Sequence, residues 1–451
     1  MEASGSLRDP SIVLSNVLKK LWPKQRLAVS FTLKRKHNFL AMETGTGKTL
    51  TTLASLAWRH KRGSVDSFLV VCPAAAVHVW EREIKQWLPG TTMRWAIVSL
   101  DLARFYFKYL RKEDFDAIVF DEVHRLKNPN SAQGRRCAKV ASSIPIRYGL
   151  TGTPIADNVI DLFGQYRAIA PELLGDNWVK FRSEFLRKAG YMGHDLAITP
   201  ENRDRVLRLV SPATFQVTKA EAFPDRRLLP PVYLYANLKG NQKRIYDQLS
   251  NHMIAHIADF KISTPRAITQ MIRLQQVTGG HCPSDDGEML TFECGKGGAL
   301  KEFLDGWNRE KKVVIFARYI HELNLIETIC KKLKYSCEIF DTKKPDLEDR
   351  FQQNDNPQIF ISQIAKGGIA LTLTRASTAI FFSKTFSSLD YIQALGRVDR
   401  GGQTEPVTPV FLTTQGTIDE DMDLAIDEKL SEAEFVKRFL KKLLTKRMSL
   451  D

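Results

Sequence analysis

The chain has 451 residues, 43% of them hydrophobic and 26% charged, a composition typical of a globular protein large enough for two or three domains. Its 66 Lys and Arg residues outnumber 51 Asp and Glu residues, and the resulting net charge of +15 favours a polyanionic partner. Because no apolar run is long enough to span a bilayer and the N-terminus lacks the form of a signal peptide, we expect an intracellular, soluble protein without membrane contact, in the cytoplasm or nucleoid, or in a host cytoplasm if the protein is viral.

The cysteines show no regular framework, which in a chain of this length indicates reduced thiols rather than disulfides. His281 and Cys282 are adjacent and Cys294 follows, but zinc sites usually have paired ligands at short spacing. The sequence therefore argues against a structural zinc ion.

Between residues 36 and 165, short apolar runs alternate with helical stretches. The clearest runs are FLVVC (68–72), AIVFD (117–121) and RYGLT (147–151). This alternation predicts a parallel sheet covered by helices.

The stretch AMETGTGKT (41–49) has the residues of a phosphate-binding loop. Gly45 and Gly47 allow the backbone to pass close to an anion, Lys48 offers a charge for the β and γ phosphates, and Thr49 offers a hydroxyl to Mg²⁺. A helix predicted over Thr49–His60 would point its positive end at the same phosphates. One departure is Met42, which stands where the strict loop pattern has glycine.

Two adjacent carboxylates, Asp121 and Glu122, follow the apolar run AIVF, at the strand end where open α/β sheets bind ligands. Asp121 can hold Mg²⁺, and Glu122 can polarise the water that attacks the γ phosphate. Upstream of the loop, the side-chain amide of Gln25 can both donate and accept hydrogen bonds, which suits an adenine edge.

In LTGTPIADN (150–158), Thr151 and Thr153 can cap a helix that begins at Pro154. The same hydroxyls can also sense the nucleotide and relay its state to nucleic acid. The residues alone leave both roles open.

Residues 165–300 contain few strand-like runs and two long helical stretches, Asn241–Phe260 and Pro265–Thr278. The Pro- and Arg-containing segment Phe223–Pro231 is the candidate linker. An aromatic stripe at helical spacing, typical of a buried helix face, comprises Trp178, Phe181 and Phe185.

Strand-helix alternation returns with VVIFA (313–317), QIFIS (358–362), TAIFF (378–382) and VTPVFL (407–412), which predicts a second α/β unit. In YIQALGRVDRGGQ (391–403), Arg397 and Arg400 are three residues apart and are expected on one face of a helix. They can act as arginine fingers, although a solvated helix face explains them too.

A last helix is predicted over Ser431–Arg447. Its apolar face is expected to pack on a lobe, with DNA contact as a secondary role. That face comprises Val436, Phe439, Leu440 and Leu443.

In order and spacing, Gln25 and the motifs METGTGKT, VCPAAAVHVWEREI, DEVHRLKN, LTGTPIADN, SQIAKGGIALTLTRA and QALGRVDRGGQ resemble the superfamily 2 helicase-like ATPases. DEVHRLKN and the ending at Arg397, Arg400, Gly402 and Gln403 are most similar to the Swi/Snf branch of double-stranded DNA translocases. The resemblance covers nearly all of residues 20–425, in a minimal form as in bacteria or bacteriophages.

The resemblance implies an α/β fold with two RecA-like parallel-sheet lobes, a mostly helical insertion between them and ATP at their interface. The implied domains are lobe 1 (1–165), the helical insertion and interlobe linker (166–295), lobe 2 (296–430) and a basic C-terminal helix (431–451).

The resemblance also assigns roles by matching position. The catalytic residues are Lys48, Asp121, Glu122, Arg397 and Arg400. The nucleotide-binding residues are Gln25, Thr44, Gly45, Thr46, Gly47, Lys48 and Thr49, and the metal ligands are Thr49 and Asp121. The DNA-binding or coupling residues are Pro73, Thr151, Thr153, Gly367, Gly368, Thr372 and Gln393.

The chain departs from the family after QIFIS, where Lys366, Ala370 and Thr372 replace the usual Ala, Gly and Asn. A double arginine that the family carries before its linker is also absent from TFQVTKAEAF (214–223). The first departure is expected to alter the coupling between DNA and ATP.

The expected function is a DNA-dependent ATP hydrolase that cleaves the β-γ phosphoanhydride, uses ATP and Mg²⁺, and translocates on double-stranded DNA to remodel DNA or protein-DNA complexes. Two alternatives are a strand-separating helicase and a nucleotide-gated DNA-binding recruitment factor with little turnover. A separate nuclease or replication/repair protein is a possible partner, and the sequence does not indicate an oligomeric state.

Overall fold

The computed structural model describes residues 10–107, 114–152, 159–189, 195–224, 228–258, 264–284, 286–341, 346–364 and 371–428, with residues 434–436, 438, 439 and 442 of the last segment. The chain forms two compact units, Met1–Asp225 and Arg226–Asp451. Their boundary falls inside the candidate linker Phe223–Pro231. It therefore divides residues 166–295, the expected insertion, between the two units.

The first unit is built on a parallel sheet of six strands in the order β3-β2-β4-β5-β1-β8, with β6 and β7 as a separate antiparallel pair. The strands are β1 (His37–Met42), β2 (Ser67–Cys72), β3 (Arg94–Ser99), β4 (Ala117–Phe120), β5 (Ile146–Thr151), β6 (Leu186–Ala189), β7 (Asp195–Ile198) and β8 (Thr214–Val217). The helices are α1 (Pro10–Lys20), α2 (Pro23–Leu33), α3 (Lys48–Lys61), α4 (Val77–Trp87), α5 (Leu100–Tyr106), α6 (Ala132–Ala141), α7 (Leu162–Ile169), α8 (Pro171–Leu174), α9 (Trp178–Phe185), α10 (Pro200–Val210) and α11 (Lys219–Ala222).

Both faces of this sheet are buried, because side chains alternate along each strand. In β1, Leu40 and Met42 belong to one apolar cluster, whereas Phe39 and Ala41 belong to another. The aromatic stripe on α9 lies in the second cluster, with Phe181 buried at its centre, as predicted. The sheet is thus a central layer between two helical layers, which fixes the positions of the strand ends.

The second unit repeats this plan with six parallel strands in the order β13-β14-β12-β15-β16-β9 and a separate antiparallel pair of β10 and β11. Its strands are β9 (Val232–Ala236), β10 (His281–Pro283), β11 (Met289–Thr291), β12 (Lys312–Ala317), β13 (Cys337–Ile339), β14 (Ile359–Gln363), β15 (Ala376–Phe381) and β16 (Thr408–Thr414). Its helices are α12 (Gly240–Ala258), α13 (Thr264–Thr278), α14 (Gly295–Asp305), α15 (Ile320–Lys332), α16 (Asp346–Gln353), α17 (Ser388–Val398) and α18 (Ile418–Asp427).

The predicted α/β fold with two parallel-sheet lobes is confirmed, and every apolar run named above coincides with a strand to within two residues at its ends. The middle region contains more strands than the mostly helical prediction. It holds the two antiparallel pairs, β6 with β7 and β10 with β11, and it supplies β8 and β9, which complete the two six-stranded sheets as edge strands. Both are short and partly exposed, so they carry too little periodic apolar signal to be recognised.

The described residues of the last segment pack against the second unit, as predicted. Phe435, Val436 and Phe439 are buried in a cluster with Tyr246 and Met253. Leu440 and Leu443 lie outside the described residues. Across the described chain, no helix combines the length and apolarity needed to cross a membrane.

Candidate functional site

The candidate nucleotide site lies at the carboxyl edge of the first unit's sheet. Strand β5 pairs with β1 on one side and with β4 on the other, all parallel. The segments that leave these three strands therefore emerge side by side: the glycine loop after β1, Asp121 and Glu122 after β4, and Gly152 after β5.

The glycine loop has the backbone that its sequence predicts. Gly45 and Gly47 have φ angles of 88° and 82°, in the left-handed region that favours glycine. Helix α3 begins directly after Gly47, so its N-terminal N–H groups face the loop. Thr46 closes the turn by donating from its hydroxyl to the Glu43 carbonyl at 2.7 Å.

Met42, the departure from the strict loop pattern, is a core residue. Its side chain is fully buried beside Leu40 and Leu53 in the apolar cluster on one face of the sheet. Its carbonyl accepts a hydrogen bond from Lys48 Nζ at 3.0 Å. Met42 therefore supports the loop from the apolar core, where a longer side chain than glycine's is accommodated.

Gln25 lies directly against the loop. Its Nε2 is 3.4 Å from the Thr46 carbonyl oxygen and 3.3 Å from that of Gly47. Its Oε1 accepts from the Trp22 backbone N–H at 2.9 Å. A Cβ on Gly47 would lie 2.0 Å from Gln25 Nε2, and the positive φ of Gly47 also favours glycine there. The contact of Gln25 with adenine stays a prediction.

Asp121 is held by two donors, one on each carboxylate oxygen. Its Oδ1 accepts from the Glu122 backbone N–H at 3.0 Å, and its Oδ2 accepts from Trp80 Nε1 at 2.9 Å. Burial and the neighbouring charge of Glu122 raise the pKa of Asp121, whereas the Trp80 hydrogen bond and the Lys48 charge oppose that rise. A cation beside Asp121 would also lower the pKa of this carboxyl group, as the charge of Lys48 does.

Glu122 has φ 50° and ψ 51°, a left-handed conformation that costs a non-glycine residue about 1–3 kcal/mol. Its Oε2 lies 3.2 Å from His124 Nδ1, and the same nitrogen lies 3.4 Å from Thr151 Oγ1. His124 thus connects the carboxylate after β4 to the hydroxyl at the end of β5. Strain of this kind often marks functional sites.

Gly152 makes the closest approach between the β5 end and the loop. A Cβ at this position would lie 2.5 Å from Thr44 Oγ1 and 3.4 Å from Lys48 Nζ. The structure therefore brings Thr44, Lys48 and Thr151 together around Gly152. Thr49 lies in the first turn of α3, Pro73 directly follows β2, and Thr153 is outside the described residues.

Sequence reasoning assigned no role to Trp80, His124 or Gly152, although all three stand inside recognised motifs. Gly152 carries a local signal, because it follows a buried strand and separates two threonines. The other two contacts join different elements, so no pattern within a single segment reveals them.

The donor set at this edge fits Mg²⁺ better than a transition metal. The candidate ligands are the Thr49 hydroxyl and the Asp121 carboxylate, which are hard oxygen donors. Within the described ranges, no group of three or more His, Cys, Asp and Glu could hold a metal by itself. Mg²⁺ is typically held by one or two carboxylates together with substrate phosphates, which is the chemistry available here.

In the second unit, the predicted arginine pair does not share a helix face. Helix α17 ends at Val398, and Asp399 leaves the helical region with ψ 78°. Arg397 is therefore in the last turn, whereas Arg400 lies beyond the helix end. The i, i+3 relation fails because the chain turns before the second arginine.

Arg400 instead reaches the segment before β15. Its Nη1 donates to the Leu371 carbonyl at 3.0 Å and to Thr372 Oγ1 at 3.1 Å. The Arg397 carbonyl accepts from the Leu373 N–H at 2.9 Å. The structure thus brings the predicted coupling residue Thr372 into contact with the predicted catalytic Arg400.

Two glutamines flank this arrangement. Gln403 Nε2 donates to the carbonyls of Ala376 at 2.8 Å and Val398 at 3.2 Å, which fastens the segment after α17 to β15. Gln393 is half-buried on α17. Gly367 and Gly368 fall outside the described residues.

Comparison with known families gives two matches along the chain. The SNF2-related domain matches residues 24–101 and 95–279, and the helicase conserved C-terminal domain matches residues 295–402. Together they match parts of both units and cover the motifs discussed above as far as Gly402.

Similar proteins include an uncharacterized ATP-dependent helicase of Mycoplasma pneumoniae, 22% identical over 84% of this chain and 38% of the relative. A chromodomain-helicase-DNA-binding protein 1-like of Danio rerio is 25% identical over 92% of this chain and 44% of the relative. The chain spans about half the length, or less, of the curated relatives it matches. Among solved structures, the Sulfolobus solfataricus SWI2/SNF2 ATPase core in complex with dsDNA is 22% identical, with 94% of this chain and 93% of that chain covered and a TM-score of 0.42.

Proposed function

The chain belongs to the SNF2-related domain family, and from this membership we propose that it is a DNA-dependent ATPase that couples hydrolysis of ATP to translocation on double-stranded DNA. The observation that carries the proposal is the meeting of three segments at one sheet edge. There the loop with Lys48, the acidic pair Asp121 and Glu122, and the Thr151–Gly152 turn lie in contact.

The roles at this edge follow from charge and position. Lys48 and the N–H groups at the start of α3 would bind the β and γ phosphates, with Gly45 and Gly47 allowing close approach. Glu122 would orient the attacking water and accept its proton, while the bond between the γ phosphorus and the β-γ bridging oxygen breaks. Lys48 would exchange the Met42 carbonyl for phosphate oxygens when ATP binds.

Thr49 and Asp121 would hold Mg²⁺. When bound, the ion neutralises charge on the phosphates and on the leaving group. Arg397 and Arg400 are proposed to stabilise transition-state charge, an assignment that rests on the family pattern.

Duplex DNA is proposed as the partner for two reasons. The chain carries a net charge of +15, which suits a phosphate backbone. Its relatives are named ATP-dependent helicases and regulators of chromatin. We propose Pro73, Thr151, Thr372 and Gln393 as DNA-binding or coupling positions, together with Thr153, Gly367 and Gly368.

Two assays with the full chain test this proposal. ATP hydrolysis is measured with and without duplex DNA, and translocation is followed by displacement of a third strand from a triplex, which requires movement but no separation of the duplex. We expect duplex-stimulated hydrolysis and third-strand displacement, both lost in Glu122→Gln.

The outcomes separate the competing functions. Displacement of a paired strand from a tailed duplex, without triplex displacement, would indicate a strand-separating helicase. Nucleotide-dependent DNA binding with negligible turnover would indicate a recruitment factor. Hydrolysis that is indifferent to nucleic acid would contradict the proposal.

A further inference from the structure

Trp80 contacts the acidic pair from α4, a helix that does not belong to the three segments meeting at the sheet edge. It lies in the first half of α4, which follows β2, and β2 pairs directly with β4. Only 1% of its surface is exposed, and its ring belongs to the same apolar cluster as Leu53 and Val70. Packing therefore fixes the ring, and the ring carries its single N–H to Asp121.

Hydrogen bonds hold both oxygens of the Asp121 carboxylate. Its two oxygens each accept one hydrogen bond, Oδ1 from the adjacent Glu122 N–H and Oδ2 from the Trp80 indole. Each carboxylate oxygen has two lone pairs, so one lone pair on each remains for another ligand. A charge-assisted bond of this kind is about twice as strong as a neutral one, and it restricts rotation of the carboxylate.

A buried tryptophan normally finds a partner for its N–H, so a hydrogen bond alone would not be informative. What matters is the identity of the acceptor, because Trp80 uses its only polar atom on the carboxylate proposed to hold Mg²⁺. Outer contacts that orient metal ligands typically change metal affinity or activity by about 10–100-fold when removed.

We propose that Trp80 is a positioning residue of the nucleotide site, whose indole N–H fixes the Asp121 carboxylate in the orientation that receives the cation of the metal-nucleotide complex. The inference rests on the proposed function, since it deepens the role given there to Asp121. Trp80 touches neither nucleotide nor water in this account, and it acts only through Asp121.

The same helix supplies a matched control. Trp87 also lies on α4 and also donates its indole N–H to a carboxylate, at 2.7 Å to Glu83 Oε2. That acceptor is one turn away on the same helix and outside the site. Trp87→Phe therefore removes an equivalent donor without changing Asp121.

The experiment measures Mn²⁺ binding to the full chain by electron paramagnetic resonance, in the presence of a non-hydrolysable ATP analogue, for wild type, Trp80→Phe and Trp87→Phe. We expect Trp80→Phe to raise the Mn²⁺ dissociation constant by about tenfold or more, and Trp87→Phe to leave it within about twofold of wild type. Affinity for the analogue in EDTA should stay the same in all three proteins, because no metal is involved. Excess Mg²⁺ should restore the ATP turnover of Trp80→Phe.

A second variant keeps the inference testable if Trp80→Phe fails to fold. Incorporation of benzothienylalanine at position 80 keeps the size and shape of the ring but replaces the N–H with sulfur. The same loss of Mn²⁺ affinity in this protein would support the inference. Wild-type affinity in the benzothienylalanine protein would overturn it.

Failure of the proposed function has a different signature. If the wild-type chain binds no Mn²⁺ with the nucleotide analogue and hydrolyses no ATP, the nucleotide site itself is refuted, and the role of Trp80 falls with it. If the wild type binds and hydrolyses normally while removal of the Trp80 N–H changes nothing, only the inference about Trp80 is overturned.

Discussion

The carboxyl edges of the two sheets have the same architecture but carry different side chains. In the first unit, the segments after β1, β4 and β5 present a glycine loop, an acidic pair and a glycine turn. In the second unit, the segments after β12, β15 and β16 are occupied by charges of the unit itself. Fold alone therefore does not decide which edge binds a ligand.

The charges at the second edge are paired internally. Lys296 is fully buried with its Nζ 2.8 Å from Asp419 Oδ2, and Lys384 forms an ion pair with Asp423. Buried Glu322 accepts hydrogen bonds from the backbone N–H groups of Arg318 and Tyr319, at 3.2 and 3.1 Å. Lysine at this edge is thus structural, whereas Lys48 at the first edge is proposed to be catalytic.

The largest expected effect separates these two kinds of lysine. Lys48→Ala should reduce ATP turnover by at least about 10²–10³-fold, because it removes a charge aimed at the transferring phosphoryl group. Glu122→Gln should have a similar effect through loss of the proton acceptor. Steady-state hydrolysis measures the rate, and thermal unfolding should show intact folding. A Lys48→Ala protein with near-normal turnover would mean that the first edge is not the active one.

Substitution of a buried lysine of the second unit tests whether the charges at the second edge are structural. Lys296→Met should lower the free energy of unfolding by about 3–5 kcal/mol, because Asp419 is left buried without its cation. Urea unfolding gives the value. Adding Asp419→Asn should recover part of the loss, since the double variant buries neither charge. Unchanged stability in Lys296→Met would show that this pair does not hold the edge together.

A smaller effect concerns pH. Burial raises the pKa of Glu322, at the second edge, from 4.5 to about 7, against the opposing charge of Lys296. Between these values the folded state keeps a proton that the unfolded state has released, so stability falls as pH rises. The loss is at most about 1.4 kcal/mol per pH unit. Urea unfolding at pH 5, 6, 7 and 8 should show that Glu322→Gln lacks this decline.

His281 provides a control, because its effect on the pH dependence of stability has the opposite sign. Burial lowers the pKa of His281 from 6.5 to about 4, so below pH 6.5 the unfolded state binds a proton that the folded state excludes. Stability from this group therefore rises with pH between about 4 and 6.5. His281→Phe should remove that rise while Glu322→Gln removes the fall. Identical pH profiles for both variants would contradict the assignment of these groups.

The smallest effect concerns the contact between Arg400 and Thr372. Thr372→Val removes the hydroxyl 3.1 Å from Arg400 Nη1 and should reduce DNA-stimulated turnover by about fivefold, the value of one modest hydrogen bond. Thr328→Val, which removes an exposed hydroxyl on α15, serves as the control. Equal rates for the two variants would show that this contact does not link the arginine to the segment before β15.

The sequence predicted most of the fold because the central strands are buried on both faces and read as continuous apolar runs, such as VVIFA in β12. The edge strands β8 and β9 were not predicted, because they are partly exposed and do not form continuous apolar runs. Arg400 was misplaced for a related reason, since helical periodicity does not reveal where a helix ends. Helix α17 ends at Val398, before Arg400 and before the Gly401–Gly402 pair that marks a helix end in the sequence.

The site was predictable where one segment carries several of its groups, as in the glycine loop and the acidic pair. It was not predictable where the contact joins distant segments. Trp80 reaches Asp121 only because β2 and β4 are neighbours, and His124 reaches Thr151 only because β4 and β5 are neighbours. Strand order is a tertiary property, so these partners became visible only in the structure.

The central claim is tested most directly by the steady-state ATP hydrolysis rate of the full chain at one fixed salt concentration, with duplex DNA, single-stranded DNA, RNA or no nucleic acid. Salt is held constant because it alone changes such affinities by orders of magnitude. The account predicts the highest rate with duplex DNA and a rate near background without nucleic acid. Equal rates under all four conditions would contradict it.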